Sequence, residues 1–175
     1  EDTVVLAPGY AANLEVASAT PPEVELPPAL DAPEEVGTPG LKTVAEVSSN
    51  LGVEPGALVK SVPVVGDDGE MVLVLVRGDD QVNPVKLANA LGTASRPARE
   101  DEIAEKVGPP GYIGPVGASV RIVKDAAVSG SGLVAGANRE DFHLRGVEPG
   151  RDFEFEEADV RLVRPGDLTP DGDEV

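Results

Sequence analysis

Cysteine and tryptophan are absent from this chain, histidine occurs once, and only two tyrosines and three phenylalanines stand among 175 residues. Each shortage excludes something. Without cysteine there is no disulfide and no thiol nucleophile, and the composition suits a reducing compartment. One histidine and no cysteine leave a structural zinc site without a ligand set, and the carboxylates show no metal-binding spacing. So few aromatic rings offer no stacking platform for a run of bases. No stretch approaches the ~20 apolar residues of a membrane span, so no membrane partner is expected. No basic, apolar signal segment stands at the front. The chain opens on Glu1 instead of methionine, which reads as a piece cut from a longer protein.

Positive charge is also scarce, and unevenly so. The chain carries 14 basic and 32 acidic residues, a net of −18. Residues 1–41 hold eight acids and no Lys or Arg, and residues 139–175 hold twelve acids and five arginines. The middle, 42–138, has twelve acids and nine bases, a net of only −3. Within it three windows lack any acid: Pro55–Gly66 with Lys60, Gln81–Arg99 with Lys86, Arg96 and Arg99, and Gly108–Lys124 with Arg121 and Lys124. If the windows converge, they form a neutral-to-positive patch on an acidic body, suited to one terminal phosphate and not to a long duplex.

What is present reads as an α+β domain, a mixed β-sheet surrounded by helices. Residues 20–40 are acidic and proline-rich, without helical or strand periodicity, and are expected to form an extended linker. The compact domain is expected over 41–158. Val44, Val47 and Leu51 mark one face of a helix stopped by Gly52. Glu54 to Lys60 reads as a short helical turn. Ser61–Val65 and Met71–Arg77 are β-branched runs joined by a Gly-Asp-Asp-Gly-Glu hairpin signal. Asn83-Pro84 caps a helix through Leu91, and Arg99–Val107 forms another. Ala118–Val123 and Leu133–Ala137 read as strands. Phe153–Phe155 and Asp159–Val163 close the sheet or lead away from it.

The stretch Gly108-Pro109-Pro110-Gly111-Tyr112-Ile113-Gly114-Pro115-Val116-Gly117 suits neither helix nor central strand, because glycine weakens both and proline donates no backbone hydrogen bond. It reads as a shaped loop whose remaining N–H groups point in set directions. Such a loop can hold a developing oxyanion without a reactive side chain; it can equally be a surface turn.

Order and spacing of several short motifs now carry a resemblance. Lys60 follows Gly56-Ala57-Leu58-Val59, and Arg77-Gly78-Asp79 leads into Val82-Asn83-Pro84-Val85-Lys86. Gly111-x-x-x-Pro115 comes next, then Val134-Ala135-Gly136-Ala137-Asn138 and, five residues on, His143. Together they resemble the editing insertion domain of bacterial-type prolyl-tRNA synthetase, in the superfamily of the free-standing YbaK/ProX-like aminoacyl-tRNA deacylases. Tyr10-Ala11-Ala12-Asn13-Leu14-Glu15, within residues 1–19, is similar to the class II synthetase core before the insertion. Residues 159–175, with Arg164-Pro165-Gly166-Asp167-Leu168-Thr169-Pro170-Asp171-Gly172, are similar to the return into that core.

The resemblance implies hydrolysis of alanine wrongly attached to proline-specific tRNA. Its expected partners are the 3′ acceptor end of that tRNA and the catalytic core of a parent synthetase, a cytoplasmic homodimer. No cofactor is expected for the editing domain, ATP and Mg belonging to the parent core. Water attack assisted by the substrate's ribose hydroxyl is what the family suggests. Lys60 matches the family's essential lysine, placed on the phosphate or hydroxyls of the terminal adenosine; read from sequence alone it is equally a surface lysine at a strand start. Gly111 and Pro115 match the family's loop, whose amides from Tyr112 through Ile113 to Gly114 are candidates to hold the carbonyl oxygen. His143 aligns with a histidine near the amino-acid pocket and is expected to shape it. Asp125 is the acid nearest to the family's aspartate position, although counting back from Asn138 puts Lys124 there. Ala135, Gly136 and Ala137 are candidates for a floor that accepts alanine and refuses proline. Pro63, three residues past Lys60, implies that its strand is bent or at an edge. The rival readings are a free-standing deacylase acting in trans, a hydrolytically inert insertion that scaffolds or docks tRNA, and an acidic interaction module.

Overall fold

The computed structural model describes residues 4–7, 10–13, 17–169 and 173–174. Along the chain run β1 (Val4–Ala7), β2 (Tyr10–Asn13), β3 (Glu34–Gly37), α1 (Val44–Leu51), a 3₁₀ turn (Pro55–Ala57), β4 (Val59–Gly66) and β5 (Met71–Arg77). They are followed by α2 (Pro84–Leu91), β6 (Ser95–Pro97), α3 (Glu100–Lys106), β7 (Arg121–Asp125), β8 (Leu133–Gly136), β9 (Phe142–Val147) and β10 (Glu156–Ala158). The expected mixed α+β architecture is what forms. A five-stranded sheet has the order β10-β7-β5-β4-β6, and a three-stranded sheet has the order β3-β9-β8. In the larger sheet β7 runs parallel to both β5 and β10, whereas β4 is antiparallel to β5 and β6.

β5 organises the core because it is apolar on both faces. Side chains alternate across a strand, so Leu73 and Leu75 point one way and Val72, Val74 and Val76 the other. The leucines meet Val59, Ile122, Leu133, Ala135, Leu144 and Phe153, which joins the two sheets. The valines meet Val64, Leu87 of α2, Val123 and Val160. The starts of α1 and α2 obey capping rules: the Thr43 hydroxyl accepts from the Glu46 amide, and the Asn83 side chain accepts from the Val85 and Lys86 amides. Gly52 and Gly92 end α1 and α2 at φ +67° and +72°, in the left-handed region that favours glycine.

Several sequence expectations need correcting. The helical turn stops at Ala57, and the strand starts at Val59, so Lys60 lies inside β4. The strand expected from Ala118 begins at Arg121. Phe153–Phe155 is not a strand, and of 159–163 only Arg161 makes an isolated bridge, to Val82. β6 and β9 were not anticipated; β9 alternates apolar and polar residues only from Phe142 to Arg145, a short run ended by Gly146. Pro63 sits where β6 begins to pair with β4, at Val64. Its carbonyl accepts from the Ala98 amide. A strand residue's nitrogen and oxygen face the same side, so the missing donor costs no bond to β5.

The segment expected as an extended linker is packed against the body instead. Glu34–Gly37 pairs with β9, and the Pro22 carbonyl accepts from Arg77. Four glycines make room for it: an added Cβ would lie 2.7 Å from Val24 at Gly56, 2.6 Å from Leu26 at Gly130, 2.1 Å from the Pro27 carbonyl oxygen at Gly132 and 2.7 Å from Leu30 at Gly146. Of the core-like flanks, Leu14, Glu15 and residues 170–172 lie outside the described residues.

The two ends of the domain are tied together by a buried charge cluster. Thr20 and Leu168 exchange two backbone hydrogen bonds of 2.7 Å. Beside them Arg161 donates to Asp80 through two bonds, to Asp167 at 2.9 Å and to the Ala19 carbonyl at 2.9 Å. Arg161, Asp80 and Asp167 are each no more than 2% exposed. Removing the cation leaves two buried carboxylates with only Arg164 to answer them, through its guanidinium 3.2 Å from Asp80 and its amide on Asp167. Arg161→Met is therefore expected to lower stability by about 3–5 kcal/mol in urea unfolding, with the added changes Asp80→Asn and Asp167→Asn recovering part of the loss.

Candidate functional site

β4, β8, β9, α1 and the glycine-proline loop meet at a cavity of about 250 Å³. Six of the residues singled out in the sequence line it: Lys60, Gly111, Ile113, Ala135, Gly136 and His143. The apolar wall is Val44, Val47, Leu58, Val59 and Val134, and α3 adds Ile103. No aspartate or glutamate lines the cavity, although the chain has 32 of them.

The Lys60 side chain is half-buried on β4 and makes no ion pair or hydrogen bond among the described residues. Burial pulls its pKa below the ordinary lysine range, opposed by Asp80 and Asp79. The other acid-free windows behave differently. Lys86 pairs with Asp159, Arg96 with Glu102, Arg99 with Asp101, Arg121 with Glu156 and Lys124 with Glu157. The expected three-window patch is thus reduced to two windows: Pro55–Gly66 and the Gly108–Lys124 loop share the cavity, while Gln81–Arg99 does not line it.

The loop is held against β8 backbone to backbone. A Cβ on Gly114 would lie 2.1 Å from the Gly136 oxygen, and one on Gly136 would lie 2.2 Å from the Ile113 oxygen. Asn138, at φ +56°, locks this contact. Its side chain accepts from the Gly114 amide at 2.8 Å and donates to the Gly114 and Val116 carbonyls at 2.9 and 3.1 Å. Its own amide donates to the Tyr112 carbonyl at 2.8 Å. These bonds correct the oxyanion expectation. The Gly114 amide is consumed by Asn138 and the Tyr112 amide by Pro109, which leaves Ile113 as the one of the three amides without a partner among the described residues.

Tyr112 does not line the cavity. It is buried behind His143, ring centroids 5.8 Å apart in an edge contact, and its hydroxyl donates to Asp141 at 3.0 Å. Gly114 and Pro115 are buried supports of the loop, and Ala137 packs into the core beyond the cavity floor. His143 is 6% exposed, with Nδ1 2.6 Å from the Thr38 hydroxyl. Burial pushes its pKa below the usual histidine value, so near pH 7 it is a neutral wall of the pocket.

Asp125 is a correction. It is buried at the far end of β7, where it accepts from the amides of Ala127, Val160 and Arg161. Lys124 is equally remote, donating to the Val128 carbonyl and Glu157. Neither residue lines the cavity; both fasten β7 to the 155–161 segment. Sequence reasoning missed Thr38 and the clamping role of Asn138. Asparagine tolerates the left-handed region better than most residues, so its place after a strand was the available signal. Ser61 also lines the cavity, and its buried hydroxyl has no partner. No base lies against it among the described residues, for the hydroxyl has no hydrogen-bond partner and His143 Nδ1 is engaged with Thr38.

Comparison with known proteins places this geometry in context. The aminoacyl-tRNA editing domain family matches residues 38–153. The chain is 46% identical over 186 residues to a proline–tRNA ligase of Stenotrophomonas maltophilia, covering 100% of this chain and 33% of the relative. It is 43% identical over 182 residues to the proline–tRNA ligase of Geobacillus kaustophilus, covering 98% and 32%. It therefore spans about a third of the length of the relatives it matches. A solved structure described as a candidate trans-editing enzyme for prolyl tRNA synthetase shares the fold, with a TM-score of 0.67 at 24% identity over 75% of this chain and 87% of that one. Loop, cavity and family match agree: the chain belongs to the aminoacyl-tRNA editing domain family, in the form that proline–tRNA ligases carry.

Proposed function

We propose that this domain removes alanine from proline-specific tRNA, acting in cis within a proline–tRNA ligase. The observation that carries the reading is Lys60: an unpaired, half-buried ammonium in an acid-free cavity, inside a protein of net charge −18. A lysine without a counter-ion in such a setting suits an electron-rich ligand such as the phosphate or hydroxyls of a terminal adenosine.

The rest of the cavity supports ester hydrolysis by water. It offers no thiol, no paired Ser-His and no carboxylate. What it offers is position and one free amide. The Ile113 N–H would face the carbonyl oxygen as negative charge builds there, held by the Gly114–Gly136 contact so that little reorganisation is needed. The attacking water would be oriented by the substrate itself, its ribose hydroxyl being the nearest available proton acceptor. Ala135 and Gly136 form a floor with no side chain larger than a methyl group, and His143, backed by Tyr112, closes one side. A rigid pocket of this kind refuses the larger proline ring by overlap, which is easier to build than selection for a missing methylene.

Three outcomes follow. Labelled alanyl-tRNA for proline should lose its ester when incubated with this chain, and prolyl-tRNA should not; equal loss of both, or of neither, contradicts the size-exclusion pocket. Lys60→Ala should abolish deacylation while shifting unfolding free energy by no more than ~0.5 kcal/mol, as for other side chains without partners. Asn138→Ala should slow deacylation by roughly 10²-fold or more by freeing the loop from Gly136, the scale of losing one oxyanion donor. It should also cost about 1–3 kcal/mol of stability by leaving partly buried polar groups unpaired. Single-turnover kinetics and urea melts on the same variants check both.

A further inference from the structure

The cavity has a second cation that the sequence reading passed over. Lys42 stands just before α1 and lines the cavity together with Lys60. Its stem crosses the glycine-proline loop at Gly111, where an added Cβ would lie 2.7 Å from Lys42 Cδ and 3.0 Å from Cγ. Gly111 also has φ +92°, in the left-handed region that favours glycine. Lys42 Nζ lies 5.8 Å from the Tyr112 ring centroid and joins no ion pair among the described residues. The side chain is exposed, whereas Lys60 is half-buried, so Lys42 marks the mouth and Lys60 the interior.

Lys42 also borders a second, outer hollow, lined by Glu100, Pro109, Pro110, Gly111, Tyr112 and Glu140. The residue is thus a partition between an acid-free cavity and a hollow carrying two glutamates. That asymmetry is informative. An alanyl ester brings no negative charge, so a lysine at the mouth has no task toward the amino acid. The nearest anion in the substrate is the phosphate joining the terminal nucleotide to its neighbour. A polyanion crossing the outer hollow would be repelled by Glu100 and Glu140, so one phosphate, and not a run of them, can be held on this side.

We infer that Lys42 is a positioning residue that grips the terminal internucleotide phosphate at the cavity mouth, with Gly111 shaped to let its stem lie across the loop. This rests on the deacylase reading above. It leaves Lys60, further in, for the hydroxyls of the terminal adenosine.

The test compares two substrates on the full 175-residue chain: alanyl-tRNA for proline, and 2′(3′)-O-alanyl-adenosine, which carries the same ester and no phosphate. Lys42→Met keeps the stem over Gly111 and removes only the charge; Lys42→Arg restores it. With alanyl-tRNA, Lys42→Met should raise KM roughly three- to tenfold, the range of one exposed charge-assisted contact, and leave kcat within about twofold. The salt dependence of log(kcat/KM) should flatten by about 0.7–1, the share of one phosphate contact, and Lys42→Arg should recover both effects. With alanyl-adenosine the Met variant should match the parent. Equal damage on both substrates would mean that Lys42 acts on the ester or the loop, and an unchanged KM and salt slope on tRNA would mean that it touches no phosphate; either result overturns the inference while leaving the deacylase reading intact. If the unaltered chain hydrolyses neither substrate, the deacylase reading itself fails and the inference falls with it.

Discussion

One backbone contact sets the geometry of everything around the cavity: the loop at Gly114 lying directly on the end of β8 at Gly136. No side chain fits between them, since a Cβ on Gly114 would lie 2.1 Å from the Gly136 oxygen and one on Gly136 2.2 Å from the Ile113 oxygen. Asn138 then uses both ends of its amide to fix the loop to the strand. Consequently the backbone at Ile113 is held by main-chain packing, which has few ways to relax. A site with no strongly reactive side chain needs such rigidity, because its chemistry depends on where weak groups are held.

Charge is partitioned on the same principle. The flanks and outer surface are acidic, and five of the nine cations of the middle region, Lys86, Arg96, Arg99, Arg121 and Lys124, are answered by a carboxylate and spent on structure. Lys60 and Lys42 are the two at the cavity, and neither has such an answer. An acidic body with a small cationic cavity discourages general nucleic-acid binding while still admitting one nucleotide end. Net charge alone would have pointed away from a tRNA partner; its distribution points toward one.

The flanking segments belong to the folded unit more closely than composition suggests. The stretch over 22–37 lies in a trough made by glycines and ends in a strand, and directly after it Thr38 reaches His143. Chain entering at Thr20 and leaving at Leu168 runs side by side, fastened by Arg161 between Asp80 and Asp167. A domain whose two connections are adjacent and bolted to its core can be inserted in a larger protein without disturbing either partner's packing.

The sequence by itself determined the helices with their caps, the hairpin of β4 and β5, and the loop, because capping residues, β-branched runs and Gly-Pro clusters act over a few neighbouring positions. It also named Lys60, Gly111, Ile113, Ala135, Gly136 and His143, which the fold gathers into one cavity. Other features were decided only by tertiary structure. That β9 is a strand depends on β3 and β8 flanking it, because its own alternation, Phe142 to Arg145, is only four residues long and ends at Gly146. That Asp125 serves three amides and not a substrate depends on a segment some 35 residues away folding back onto β7. Which loop amide stays free depends on Asn138, 24 residues beyond Gly114, taking its neighbour's. In each case residue type was legible, but the role was assigned by partners that become neighbours only when distant segments pack together.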